Sequence, residues 1–386
     1  MVNTKKLKLL LFLSFVILFP FGQLLRYQMN LAGIGIVFHP IDFLVGICGI
    51  MVLVSGNKFP PLFRHLTNFY LAAFFSLVLS IPLFGFSQVV PGILYFLRLI
   101  FYGLFFVFVL NLSKKTLAKE KIFEILIILS TVISVSGIFQ YILLPDVRFL
   151  KFLGWDDHLY RIVGTFFDPG YTSILIVLGI LLAIVGYINL KRKLYIPVLL
   201  IDLLALAFTY SRSGFLALAA GIFTLALIYK KFKLILVLIL MAFAILLLPR
   251  PSSEGARLER TVSIFARSIN YQETLKIGML NPLFGVGFNN MCPARLCMFG
   301  GDARSHACAG ADSSILFIWA TTGLVGLALF LNFIFQAGKY ISGDLYAKAL
   351  ISVSSALLIH SLFNNSLFYS WVMGYLAILL AISIKE

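Results

Sequence analysis

The sequence predicts an all-α polytopic membrane protein of about 12 transmembrane helices, with a large external loop carrying amphipathic helices. Three observations lead there. The 386 residues are 61% hydrophobic and 12% charged, with a mean hydropathy of +1.02, whereas soluble domains run at about 45–50% and about 25%. Apolar runs able to cross a hydrocarbon core of about 30 Å recur along the chain. The basic residues are sorted by type between alternate connections. Such a composition excludes a disordered chain and a string of soluble domains, and four scattered cysteines exclude a disulfide-framework secreted domain. A formal net charge of +16 would suit a nucleic-acid binder. Its placement follows the lipid bilayer instead, so no nucleic-acid partner is expected and residues 1–386 read as a single integral membrane domain.

Apolar runs between polar breaks place spans near 7–25, 33–55, 66–84, 92–112, 122–144, 170–189, 194–210, 213–229, 234–249, 313–335, 348–365 and 368–384. The first follows Lys5, Lys6 and Lys8 in the manner of a signal peptide, but no small-residue cleavage site precedes the next run, so it reads as an uncleaved anchor. One set of connections, with both termini, holds 16 Lys and 2 Arg; the other holds 10 Arg and 2 Lys. The Lys-rich set fills short connections, as cytoplasmic loops do, so both termini are assigned to the cytoplasm. The Arg-rich set occupies the outer side, mostly in an external loop at 145–169 and a large external loop at 250–312. Lysine suffices for orientation, whereas arginine offers a fixed fork of donors to phosphate and carboxylate. A composition bias would not sort by side, so the split points to an anionic ligand on the outer face.

Individual residues sharpen this. His39 and Asp42 begin the second span, and Arg98 stands about six residues, or about 9 Å, inside the fourth. Ionisable groups at that depth face the protein interior or a wet cavity, which makes Arg98 a functional candidate. Asp202, mid-way along the seventh span, is expected to pair with a neighbouring helix. The outer segment RIVGTFFDPGY begins at Arg161 and leads through Pro169-Gly170 into the sixth span. Thr209-Tyr210-Ser211-Arg212-Ser213-Gly214 joins two spans with almost no loop. Its arginine either snorkels at a helix end or is aimed inward by two serines. In the large loop, 257–280 reads as a helix closed by Asn281-Pro282, with Arg260, Arg267, Tyr271 and Thr274 on one face. Ile264, Ile269, Leu275 and Leu280 give it apolar positions, so it either lies on the lipid surface or holds a ligand. Cys292, Cys297 and Cys308 allow three disulfide pairings with one thiol left over. With His306 as their nearest histidine, their spacing fits no zinc pattern, and neither a metal nor a cofactor is expected. His360, Asn364 and Asn365 end the eleventh span near the outer boundary.

Four elements in order, RIVGTFFDPG, TYSRSG, ARSINYQETLKIGMLNPLFGVGFNN and ADSSILFIWATTGLVG, give the region 161–335 a pattern that resembles the O-antigen ligase/polymerase superfamily of bacterial surface-polysaccharide enzymes. The resemblance implies a metal-independent glycosyltransferase in the bacterial cytoplasmic (inner) membrane. It would take a glycan from an undecaprenyl-pyrophosphate carrier and pass it to a hydroxyl of lipid A-core or of another acceptor glycan. It also implies that Arg212 and Arg267 carry the family's two arginines, with Arg260 one turn earlier. The family's ligases place a His before the small polar residue, nine residues and Gly-x-x-Gly that stand here as Ser313, Gly323 and Gly326. This chain has Asp312 in that place. Polymerase-like members often carry Asp, so the departure leans to polymerisation, and His306 replaces the His only if the loop folds back.

The chemistry agrees with that expectation. A pyrophosphate leaving group needs charge stabilisation, which guanidinium forks supply at about 1.5–3 kcal/mol per charge-assisted hydrogen bond. Asp312 would act as the base, Arg212 and Arg267 would stabilise the leaving group, and Arg161, Arg260, Arg98, Tyr271, His306 and His360 would line the pyrophosphate or glycan site. The rival reading is a polysaccharide or lipid-linked glycan transporter or flippase. Transporters tend to show repeated halves, and no internal repeat is evident here.

Overall fold

The computed structural model describes residues 4–31, 34–56, 58–236, 239, 261–300, 308 and 310–385. The chain starts with helix α1 (Thr4–Leu18), a 3-10 segment (Phe19–Leu25) and an antiparallel hairpin of β1 (Tyr27–Leu31) and β2 (Ile34–Phe38). Then come α2 (Pro40–Val54), α3 (Pro61–Phe84), α4 (Phe86–Lys115) and α5 (Lys119–Leu143). After 3-10 turns at Arg148–Leu153 and Gly164–Phe166, the bundle continues with α6 (Pro169–Leu190), α7 (Tyr195–Thr209) and α8 (Arg212–Tyr229). The large loop contributes α9 (Val262–Leu280) and α10 (Met291–Phe299), and the chain closes with α11 (Ser314–Tyr340), α12 (Leu345–His360) and α13 (Ser370–Ser383).

Among the described residues seven helices are long and apolar enough to cross a membrane, and α2, α7, α12 and α13 are shorter apolar helices. These eleven fall on eleven of the expected spans. The remaining one, near 234–249, lies almost wholly outside the described residues, as do Arg260 and His306. The polar breaks between spans work as caps: Asp168, Ser211, Ser313 and Asp344 each accept a backbone N–H from the first turn of the helix that follows.

Three expectations need correction. The second span does not begin near 33, because Ile34–Phe38 is a strand; the helix starts at Pro40, where His39 N donates to Asp42 Oδ2 at 3.1 Å. The fourth helix begins at Phe86 rather than near 92, so Arg98 stands about 18 Å along the helix. The eleventh expected span ends at His360, leaving Asn364 and Asn365 in the following turn.

Lipid offers no hydrophobic drive between helices, so close packing at small residues holds the bundle. α6 is buried along most of its length against α5, α7, α8 and α12. A Cβ on Gly179 would lie 2.1 Å from Ser130 Cβ on α5, and one on Gly221 would lie 2.5 Å from Leu181 Cδ1. Asp202 is buried on α7 and accepts from Thr131 Oγ1 of α5 at 3.3 Å, the neighbouring-helix link expected of it.

α11 is broken at Gly323, whose φ of 68° and ψ of −172° are not helical. The segment 282–287 fills the break: Val286 N and Gly287 N donate to the carbonyls of Ala320 and Thr321, and Leu324 N and Val325 N donate to those of Pro282 and Leu283. Irregular backbone survives at such a place only where protein satisfies it. The glycines permit the approach, since a Cβ on Gly323 would sit 2.1 Å from Leu283 O and one on Gly285 2.3 Å from the Thr321 carbonyl carbon.

Candidate functional site

The helix starts assigned to the outer side meet around the turn 361–369. Ser173 of α6 donates to Ser211 Oγ at 3.0 Å, joining the starts of α6 and α8. Asn364 Nδ2 donates to Ser213 Oγ at 3.0 Å, and Ser314 N donates to Ser361 O at 2.8 Å, bringing α8 and α11 onto the same turn. Tyr369, just before α13, stacks on Tyr171 of α6 with ring centroids 4.0 Å apart. The N-termini of α6, α8 and α11 therefore converge, and each presents the positive end of a helix dipole.

Arg212 is the first residue of α8. The serines beside it are both engaged, Ser211 with Ser173 and Gly214, and Ser213 with His360 and Asn364. Arg161 sets the turn from behind. Its Nε and Nη2 donate to the carbonyls of Thr209 and Tyr210 at 3.0 and 3.3 Å, where Tyr210 adopts a left-handed φ of 49°. A non-glycine residue there costs roughly 1–2 kcal/mol, which these charge-assisted bonds offset.

α9 lies across this end of the bundle. Arg267, Asn270, Tyr271 and Thr274 turn inward, while Ile264, Ile269, Leu275 and Leu280 stay exposed. Arg267 stands 5.9 Å from the Phe363 ring, and its charge acts on Arg212, Tyr271 and Asp312. Tyr271 Oη donates to Leu362 O at 2.5 Å, docking the helix on the turn.

Asp312 is held by its backbone, its N–H donating to Asn270 Oδ1 at 2.8 Å. It does not cap α11, since that place belongs to Ser313. Burial pushes its carboxyl above the usual carboxylate range, against the opposing pull of Arg267 and Arg295. Asp168 is raised by burial in the same way, and it and Asp156 add negative charge near Asp312.

The structure thus brings together Arg212, Arg267, Tyr271 and Asp312 from the sequence-expected set, with Arg161 behind the turn. His360 is fully buried, its ring nitrogens within 3.3 Å of Ser213 Oγ and 2.5 Å of Ser366 Oγ, so it braces the site rather than facing a ligand. Arg98 belongs to a different cluster: it pairs with Asp42 at 2.9 Å, donates to Val37 O at 2.5 Å and lies over the Tyr95 ring. Sequence reasoning missed Asp168, Asn270 and Arg295; the signal available for Asp168 was an acidic N-cap directly before Pro169 at the membrane edge.

Of the three cysteines in the large loop, Cys292 and Cys308 form a disulfide and Cys297 is free and exposed. The family model described as O-antigen ligase matches residues 197–331, a stretch that takes in Arg212, Arg267, Asp312 and the broken part of α11. That match supports the likeness to the O-antigen ligase/polymerase superfamily. No curated protein matches the chain.

Proposed function

We propose that this multi-pass membrane protein, with its O-antigen ligase-type region, is a glycosyltransferase working at the outer face of the bacterial cytoplasmic membrane. It moves a glycan from an undecaprenyl-pyrophosphate carrier to an acceptor hydroxyl. The observation that carries this reading is the placement of Arg212, Arg267 and Asp312 where three helix N-termini converge. The acceptor oxygen forms a bond to the anomeric carbon, and the bond from that carbon to the pyrophosphate oxygen breaks. The acceptor proton goes to Asp312, and the carrier leaves as a pyrophosphate whose growing charge meets both guanidinium forks and the helix ends. Those forks supply the charge without a metal. The raised carboxyl suits a base, because its affinity for a proton lies closer to working pH than that of an exposed aspartate.

Aspartate in the place of the ligases' histidine favours polymerisation of repeat units over ligation to lipid A-core. The disulfide in the large loop suits an oxidising compartment, which supports placing that loop outside and both termini in the cytoplasm. The deciding experiment gives the purified protein a synthetic carrier-linked repeat unit, with and without core lipid. A ladder of products identifies a polymerase and a single transfer to core lipid a ligase. Movement of the intact carrier across proteoliposomes without any new glycosidic bond would overturn the transferase reading.

A further inference from the structure

Asp312 can serve as a base only if its carboxylate is held at a fixed distance from the arginines, yet it stands at the end of an irregular stretch leading out of the large loop. Downstream it is anchored by the Ser313 cap and by Ser314 N on Ser361 O. Upstream, a guanidinium and a disulfide anchor it among the described residues. Arg295 lies on α10, three residues after Cys292, and is 9% exposed. Its Nη1 donates to Cys308 O at 2.6 Å and its Nη2 to Gly310 O at 3.0 Å, while its Nε donates to Glu273 Oε2 of α9 at 3.0 Å. Glu273 is one turn from Asn270, which accepts from Asp312 N, and Arg267 is one turn further back on the same helix. The Cys292–Cys308 disulfide ties the same stretch covalently to α10.

We propose that Arg295, acting with the Cys292–Cys308 disulfide, is the positioning residue that sets Asp312 against the Arg267 face of α9. This rests on the reading of Asp312 as the acceptor base. The assignment follows from geometry: three donors of a single fork on α10 reach three acceptors on two other segments, α9 and the stretch before Asp312. A lysine would keep the charge and lose that arrangement. With its fork turned toward carbonyls and Glu273, Arg295 does not present it to a carrier pyrophosphate. Its removal therefore acts on turnover rather than on carrier binding.

The test compares the full-length protein with Arg295→Lys, Arg295→Gln, Cys292→Ser/Cys308→Ser and Asp312→Asn. It measures kcat, KM for the carrier-linked glycan and the pH profile of kcat. Displacement of a reacting group by about 1 Å can cost about 10²-fold, so the expected fall in kcat is about 10–100-fold for Arg295→Lys and for the double serine variant, with KM changed less than about threefold. Arg295→Gln should also move the acidic limb of the profile to higher pH. The charged and titrating groups around Asp312 are Arg267, Arg295, Asp156, Asp168, Tyr171 and Tyr271, and taking away a positive charge makes the carboxyl hold its proton more tightly. If Arg295→Gln fails to fold, Arg295→Lys still decides the matter through kcat. Wild-type kcat in the folded Arg295 variants, alongside an inactive Asp312→Asn, would overturn the positioning role and leave the base intact. An active Asp312→Asn would overturn both.

Discussion

Replacing Asp312 by Asn separates chemistry from architecture at the centre of the site. Asn is as good an N-cap as Asp, so a residue that only capped α11 would tolerate the change, and losing a cap altogether costs about 0.5–2 kcal/mol. Ser313 already fills that place, and the Asp312 contact seen in the fold is made by its backbone N–H to Asn270. Stability should therefore be unaffected by the lost carboxylate as a cap. The sign of the pH effect is opposite to that of a salt-bridged aspartate. A carboxyl whose folded-state pKa is raised contributes stability that is complete below the unfolded value of 3.8 and is lost as pH rises through the raised value. At neutral pH the Asn variant should thus melt no lower than the wild type. Transfer, by contrast, should fall about 10²–10⁴-fold, the usual worth of a positioned base, or about 2.7–5.4 kcal/mol of barrier. Thermal unfolding in detergent and single-turnover transfer from a carrier-linked glycan read the two quantities separately. A variant that melts normally and transfers at the wild-type rate would refute the base.

Arg212→Lys and Arg267→Lys keep the charge and lose the fork, so kcat/KM should fall by about 10–150-fold each, equal to one charge-assisted hydrogen bond of about 1.5–3 kcal/mol; near wild-type turnover in both would assign them to lipid headgroups. Cys297 is the free, exposed thiol in the large loop, while Cys48 is buried in α2, so an impermeant maleimide applied from outside should label intact cells with the wild-type protein and not those with Cys297→Ser. Labelling only after permeabilisation would reverse the orientation. Gly323→Ala forces a Cβ to within 2.1 Å of Leu283 O at a φ of 68°, so it should cost at least about 1–3 kcal/mol of stability, read as a lower thermal midpoint; an unchanged midpoint would show that the break in α11 relaxes freely.

Much of this architecture was legible because lipid imposes simple rules. Spans show as apolar runs, and their ends as Asp168, Ser211, Ser313 and Asp344, polar residues that the following helix uses as caps. The inward face of α9 was legible too, since Arg267, Tyr271 and Thr274 share it by helical period. What failed to show was anything set by distant partners. The strand Ile34–Phe38 merged with the apolar run of α2, although Pro40 marks an extended residue before it. Arg98 read as a ligand-facing charge because Asp42, its partner, is 56 positions away in sequence. Arg295 did not stand out among the outer arginines, since its acceptors are two backbone carbonyls and one carboxylate that only the folded loop assembles.

The arginines expected on the outer side divide by what each fork meets. Arg148 is taken up by Asp146, Arg161 by the carbonyls of the α7–α8 turn and Arg295 by Glu273 and the carbonyls of Cys308 and Gly310, while Arg98, within the fourth helix, pairs with Asp42. These arginines do structural work that a helix bundle with irregular outer segments requires. Arg212 and Arg267 are half-buried at the positive ends of three helices, with Arg212 set in the field of Arg267. Like charges drawn together away from water repel one another more strongly than they would in solvent. Asp312 offsets part of the charge, but its own carboxyl is raised by burial and favours the proton. Under the proposed function, an anion carrying more than one negative charge, such as the carrier pyrophosphate, would meet both guanidinium groups and the helix ends there. Repulsion between the two guanidinium groups would then be eased most in the state in which the leaving group is fully charged, which is where the proposed transferase gains rate.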